Sequence, residues 1–235
     1  CFSADPGKSA ASATDLGVAR SYGSFAEMAT QEARLPDGIE AVAIVTPNHL
    51  HAPVAMQFLR RGIHVICDKP LTTTLPEAKR LAKAATDSGV IFALTHNYTG
   101  YPMIRQAKAM VDAGDLGEIR LVQVEYTQDW LAEPIEATGQ KQAEWRTDPA
   151  RSGAGGAIGD IGTHAFNLAG FVTGLTLSEL AADLQAFRNA SARGIGRGGR
   201  RSQIIHTGFA GPDHPVLPQL AESSYLKALA FRLDG

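Results

Sequence analysis

The sequence predicts an open α/β sheet followed by a segment built on a different sheet, on three observations. Three short apolar runs, Ala41 to Val45, Ile63 to Cys67 and Val90 to Thr95, are rich in branched residues. Such runs read as strands buried on both faces. Between them, Pro53 to Leu59 and Pro76 to Ser88 have helical spacing, and parallel strands joined by a helix form right-handed βαβ units. Beyond these, Ile119 to Tyr126 alternates polar and apolar residues, the pattern of a half-exposed strand.

Each buried run stops in a polar turn: Thr46-Pro47-Asn48, Asp68-Lys69-Pro70 and His96-Asn97-Tyr98. Parallel strands bring such turns to one carboxyl edge, where open α/β sheets bind ligands. Before the first run, Asp5-Pro6 marks a helix start and Ser9 to Arg20 is moderately helical. Ser24 caps a second helix toward Leu35, and Pro36-Asp37-Gly38 is a turn. Gly62 and Gly89 stand where the next helices end. Pro102 to Ala113 is a helix closed by Gly114 to Gly117, and Trp130 to Pro149 is polar and loop-like. Ile158 to Val172 has helical periodicity up to Gly174, and Leu177 to Phe187 fits a strand or a short helix. From Arg188 periodicity is lost, and arginines and glycines crowd into residues 188–201.

Composition excludes several classes. A net charge of -2 gives no global attraction to nucleic acid or membrane. No apolar run approaches the roughly 20 residues of a spanning helix. Cys1 and Cys67 are too few for a disulfide framework, which with a buried Cys67 suggests a reduced, cytoplasmic setting. The chain begins at Cys1 rather than Met, so its true start is expected upstream.

Asn48, His49 and His51 form an N-H-x-H turn. In the plain structural reading Asn48 bonds backbone and one histidine packs. In the metal reading, His96 and Asp160 complete the ligand set of a hydrolase. Against it, Lys69 sets an ammonium beside the cation, and a (β/α)8 barrel needs more βα units. Lys69, held between Asp68 and Pro70, can donate a hydrogen bond to a carbonyl or hydroxyl, and Pro70 suits a cis bond. Asp160 and His164 are spaced i, i+4 on one helix face, with Asn167 one turn on. That spacing alone suits an exposed ion pair. The preceding glycines, Gly153, Gly155 and Gly156, let the helix start approach another backbone or a ligand, and a histidine steered by a carboxylate is a general acid–base arrangement. Gly194 to Gly199 matches G-x-G-x-x-G in form, but no buried strand precedes it and no helix follows. The arginines around it lack an aromatic stacking platform, so no nucleic-acid partner is expected.

TPNHLH (Thr46 to His51), CDKP (Cys67 to Pro70), AGDLGEI (Ala113 to Ile119) and GGAIGDIGTHAFN (Gly155 to Asn167), in that order and spacing, resemble the Gfo/Idh/MocA family of NAD(P)-dependent oxidoreductases. The resemblance implies a partial Rossmann-type parallel sheet, then an α+β domain with an open, mainly antiparallel sheet that is incomplete here. Residues 1–117 would be the dinucleotide-binding part, without its first strand and glycine-rich turn. Residues 118–187 would be the substrate and oligomerisation part, and 188–235 an irregular or disordered tail unlike the family. Thr46, Pro47, Asn48 and His51 would line the cofactor site, and Lys69 would contact the cofactor and the reacting oxygen. Ser3 stands near the family's ribose-reading acid, which leaves NAD or NADP open. Asp160 would orient substrate, His164 would exchange the hydroxyl proton, and Asn97, Tyr98 and Asn167 would shape the substrate pocket. No metal is implied. The implied partners are a sugar or polyol and, in the full-length protein, further copies in a dimer or tetramer. A non-catalytic sugar sensor on the same scaffold is the alternative, and the metal hydrolase a weaker one. Because the glycine-rich turn holds the pyrophosphate, the 235-residue chain is expected to show no saturable NAD(H) or NADP(H) binding by calorimetry; micromolar binding would overturn this.

Overall fold

The computed structural model describes residues 5–126, 128, 130–131, 133, 135–156, 158–181, 205–210 and 228–234. The chain divides after Thr95 into two compact units. This boundary lies ahead of the residue 117 expected from sequence.

In the first unit, helix α1 (Pro6–Asp15) starts as the Asp5-Pro6 pair predicts. The Asp5 carboxylate accepts from the Gly7 and Lys8 amides at 2.9 and 3.2 Å, satisfying donors that have no partner inside the helix. Ser24 does the same for α2 (Phe25–Glu32), accepting from the Glu27 amide at 3.1 Å. Strands β1 (Ala41–Ile44), β2 (His64–Asp68) and β3 (Phe92–Thr95) form a parallel sheet in sequence order. Helices α3 (His51–Leu59) and α4 (Leu75–Ser88) make the crossovers. Their apolar stripes bury Phe58, Leu59 and Leu81 against Ile44, Val65 and Cys67, each large side chain contributing about 1.5–3 kcal/mol. Burial on both strand faces was the expectation. Among the described residues only one face is covered: Val42, Ile44, Val65 and Cys67 are buried, while Ala41, Ala43 and Ile66 are exposed.

In the second unit, α5 (Pro102–Asp112) and α8 (Thr163–Thr173) pack together, and β4 (Leu121–Tyr126) lies against α8 through Val122 and Val124. α8 ends at Gly174, whose φ of 73° is left-handed and suits glycine. Helix α6 (Lys141–Arg146) lies within the stretch expected to be loop, and α7 (Pro149–Ser152) begins at its last residue. Six and four residues are too few to display helical periodicity. Of Leu177 to Phe187, expected as a strand or a short helix, the described part is strand β5 (Thr176–Ala181), and residues 182–187 lie outside the described residues. No element was expected after residue 187, yet Ile205–Ala210 (β6) and Ala228–Asp234 (β7) are strands. The sheet order is β4-β6-β7-β5, with two antiparallel pairs and one parallel pair. Strand formation here depends on partners distant in sequence, so local pattern does not reveal it. The rest of the predicted tail lies outside the described residues.

A buried carboxylate organises the start of the first unit. Glu32 is 3% exposed. It accepts from Arg20 Nε and Nη2 at 2.8 and 2.9 Å, from the Tyr22 hydroxyl at 2.7 Å and from the Ile39 amide at 3.1 Å. Gly38 passes so close that a Cβ there would lie 1.9 Å from the Glu32 carbonyl oxygen, which explains glycine at that position. The bonds from Arg20 above all, then those from Tyr22 and Ile39, hold the Glu32 carboxyl below its ordinary range against the opposing effect of burial. Burial and the bond to Glu32 push the Tyr22 hydroxyl up to about 12. A carboxyl depressed in the folded state stabilises above its unfolded pKa, and that stabilisation is lost as pH falls through the folded value. Glu32→Gln is therefore expected to cost about 1–3 kcal/mol at pH 7. The deficit should shrink below about pH 4. Urea melts of both chains at the two pH values measure it, and a pH-independent deficit would overturn the electrostatic part.

Candidate active site

The first unit builds a polar rim at the carboxyl edge of its sheet. Parallel register sets Ile44 opposite Cys67 and Asp68 opposite Thr95, so the turns after β1, β2 and β3 leave the same edge. Thr46 and Pro47 are half-buried, and Asn48 is buried at the start of a short 3-10 turn, Asn48–Leu50. The Thr46 Oγ1 is shielded from solvent and has no hydrogen-bond partner among the described residues. His51, the first residue of α3, is fully buried. Its Nδ1 lies 2.7 Å from the Pro70 carbonyl oxygen and its Nε2 3.0 Å from that of Thr46. Both ring nitrogens thus face backbone, and the geometry gives His51 the task of tying the two turns together. Lys69 is half-buried in the second turn, and the Lys69–Pro70 bond is cis. The Thr95 hydroxyl donates to Asp68 at 2.7 Å, binding β3 to the same rim. Beneath it, burial and the Asp68 charge push the Cys67 thiol up to about 12, which makes it an inert core residue. Ser3 lies outside the described residues.

The second unit gathers the other predicted residues. His96 precedes the 3-10 turn Asn97–Gly100; Asn97 is exposed and Tyr98 half-buried. His164, near the start of α8, is 8% exposed. The Tyr98 ring stands edge-on to it at 4.7 Å and the His96 ring at 5.8 Å. The Tyr98 and Tyr126 hydroxyls are 2.5 Å apart. Gln128 Nε2 donates to the Tyr126 hydroxyl at 3.3 Å, and Trp130 Nε1 donates to Gln128 Oε1 at 3.1 Å. The Tyr126 bond, then burial, pushes the Tyr98 hydroxyl up to about 12, so it stays protonated at neutral pH. Asn167 is half-buried on α8, one turn beyond His164.

Asp160 departs from the expected geometry. A continuous helix from Ile158 was predicted, but residues Ile158–Gly162 form a π-helical turn before α8 begins. Such wider turns recur at functional sites. The Asp160 carboxylate faces Arg146 Nε at 3.4 Å. The Arg146 guanidinium lies over the Trp145 ring at 4.3 Å and 5.8 Å from that of Trp130. Sequence reasoning missed Arg146. The Asp148-Pro149 pair signals only the start of the following helix, where Asp148 caps α7 by accepting from the Ala150 amide at 2.9 Å; nothing in the local pattern marks Arg146 on α6. Among the described residues, no group of three or more His, Cys, Asp or Glu is placed to hold a metal ion. Lys69 belongs to the first unit, and Asp160 and His164 to the second.

Two family models match the chain. Residues 1–96 match the oxidoreductase family's NAD-binding Rossmann fold, and residues 104–210 match the GFO/IDH/MocA C-terminal domain. The second match continues past residue 187, where the likeness was expected to stop. The uncharacterized oxidoreductase YfiI of Bacillus subtilis is 34% identical over 181 residues, covering 76% of this chain and 46% of the relative. Levoglucosan dehydrogenase of Pseudarthrobacter phenanthrenivorans is also 34% identical over 181 residues, covering 77% of this chain and 44% of the relative. A solved inositol dehydrogenase homolog from Azotobacter vinelandii, in complex with NAD+, is 30% identical with a TM-score of 0.75, covering 99% of this chain and 55% of that one. The chain thus spans about half the length of the relatives it matches. With two domain models of one family matched in order over most of its length, the chain belongs to the GFO/IDH/MocA oxidoreductases.

Proposed function

We propose that the chain is part of an NAD(P)-dependent oxidoreductase acting on a CH–OH group of a sugar, polyol or related hydroxy compound. The observation that carries the reading is the cluster at the head of α8, where buried His164 packs against Tyr98 and His96. Its relatives support it: one is a levoglucosan dehydrogenase, and a structural neighbour is an inositol dehydrogenase homolog holding NAD+. The rim of the first unit suits the cofactor. A buried hydroxyl without a partner is costly unless a ligand bonds it, and Thr46 Oγ1 has none among the described residues. Thr46, Pro47, Asn48 and Lys69 would hold the nicotinamide end. A nicotinamide bound there supplies the hydride acceptor or donor.

The chain's own residues divide the remaining work. His164 takes the proton from the substrate hydroxyl oxygen during oxidation and returns it during reduction. On the rim of the first unit, the Lys69 ammonium is a hydrogen-bond donor suited to stabilising charge that develops on a reacting oxygen. The Asp160 carboxylate accepts hydrogen bonds from neighbouring substrate hydroxyls and so fixes the reacting carbon. Tyr98, protonated at neutral pH, offers a donor beside them, with Asn97 and Asn167 at the pocket margin. The reading also takes the protein as a cytoplasmic homodimer or tetramer, in keeping with the buried free thiol of Cys67.

The test begins with the coding sequence upstream of residue 1, which the reading expects to encode a strand and a glycine-rich turn; their absence there would favour the sugar sensor. In the polypeptide extended by that sequence, Lys69→Met and His164→Ala should each lower turnover of an identified substrate, drawn from a panel including levoglucosan and inositol. The expected loss is on the order of 10²–10⁴-fold, followed by NAD(P)H absorbance. Unsubstituted rates in either variant would remove the assigned role.

A further inference from the structure

We propose that Arg146 is a positioning residue that holds the Asp160 carboxylate in its working orientation; the proposal rests on the oxidoreductase reading above. Three constraints act on one guanidinium. Its face stacks on Trp145 at 4.3 Å, with Trp130 at 5.8 Å. Its Nη1 donates to Gln142 Oε1, one helical turn back. Its Nε faces Asp160 Oδ2 at 3.4 Å. A planar fork fixed through its face and one nitrogen leaves a defined direction for the next, which a flexible ammonium could not do.

The segment carrying Arg146 is itself braced. Gln140 caps α6, accepting from the Ala143 amide at 2.7 Å. Arg151 on α7 donates to Asp148 at 3.0 Å and to Glu144 on α6 at 3.1 Å. The Arg151–Glu144 contact links α7 to α6, the helix that carries Arg146. Asp160 sits in the π-helical turn between Gly159 and Gly162. The two side chains are 25% and 24% exposed, so the pair stands at a partly wet surface rather than in the core. An ion pair so placed adds little to stability, which makes orientation the larger effect. A carboxylate accepts several hydrogen bonds at once, so the hold by Arg146 is compatible with acceptance from substrate hydroxyls.

The test uses the extended, cofactor-binding polypeptide and a substrate on which the unsubstituted enzyme turns over. Arg146→Ala should lower kcat/KM on the order of 10–100-fold, the scale of a misplaced substrate-orienting group, while NAD(H) affinity measured by calorimetry stays unchanged. Added guanidinium ion should recover part of the loss, which a merely structural role would not allow. Arg146→Lys should stay closer to the alanine variant than to the unsubstituted enzyme, and Trp145→Phe should retain more turnover than Trp145→Ala. Arg146→Gln is the second variant, read in the same way if the alanine variant does not fold. The proposal is overturned if turnover of the folded variants stays within twofold of the unsubstituted enzyme. It is overturned equally if cofactor affinity falls in parallel, or if guanidinium recovers nothing. If the unsubstituted enzyme oxidises or reduces no hydroxy compound, the oxidoreductase reading itself fails and takes this proposal with it.

Discussion

The imidazole of His51 is the contact on which the rim of the first unit depends. Three parallel strands bring three turns to one edge, but a parallel ladder says nothing about how the turns are held once they leave it. The His51 ring lies between the Thr46 and Pro70 carbonyl oxygens, its nitrogens 3.0 and 2.7 Å from them, one N–H donating to one of them, and its full burial removes competing water. Around this bridge the other rim groups take their places. Thr95 bonds Asp68, Asn48 is buried where the first turn coils into α3, and the Thr46 hydroxyl is left without a partner among the described residues. The rim thus carries the Thr46 hydroxyl and the Lys69 side chain, and its two turns meet at a histidine that faces inward.

The second unit solves a related problem with different parts. The His164 ring is held in place by its neighbours. Here fixation comes from aromatic edges, Tyr98 and His96 against His164, with Tyr98 held in turn through the Tyr126, Gln128 and Trp130 hydrogen bonds. The carboxylate beside it in sequence is held separately, by a guanidinium stacked on Trp145. The wide turn at residues 158–162 separates these two tasks: a regular helix would carry Asp160 and His164 on one stripe, sharing one set of neighbours.

Much of this was legible in the residues alone. The parallel strands, their crossover helices, the helix caps at Asp5 and Ser24 and the rim turns all come from short-range patterns, and the four family motifs span both matched domains. What the sequence could not show was set by distant partners. Strands β6 and β7 form by pairing with β4 and β5. Arg146 gained its place because α6, too short to announce itself, comes to lie beside the glycine-flanked turn. That the His51 ring lies against the Thr46 and Pro70 carbonyl oxygens was not legible either, because a histidine in a polar turn carries no mark of which way its ring points.

The sequence by itself determined the order of elements, the edge at which the polar turns collect and the chemical types available there, because helix spacing, strand alternation and capping act within a few residues. Only the tertiary structure decided which side chains look outward and which brace the others. Those choices depend on burial and on hydrogen-bond partners brought together by the fold: Pro70, 19 residues from His51, and Tyr126, 28 residues from Tyr98.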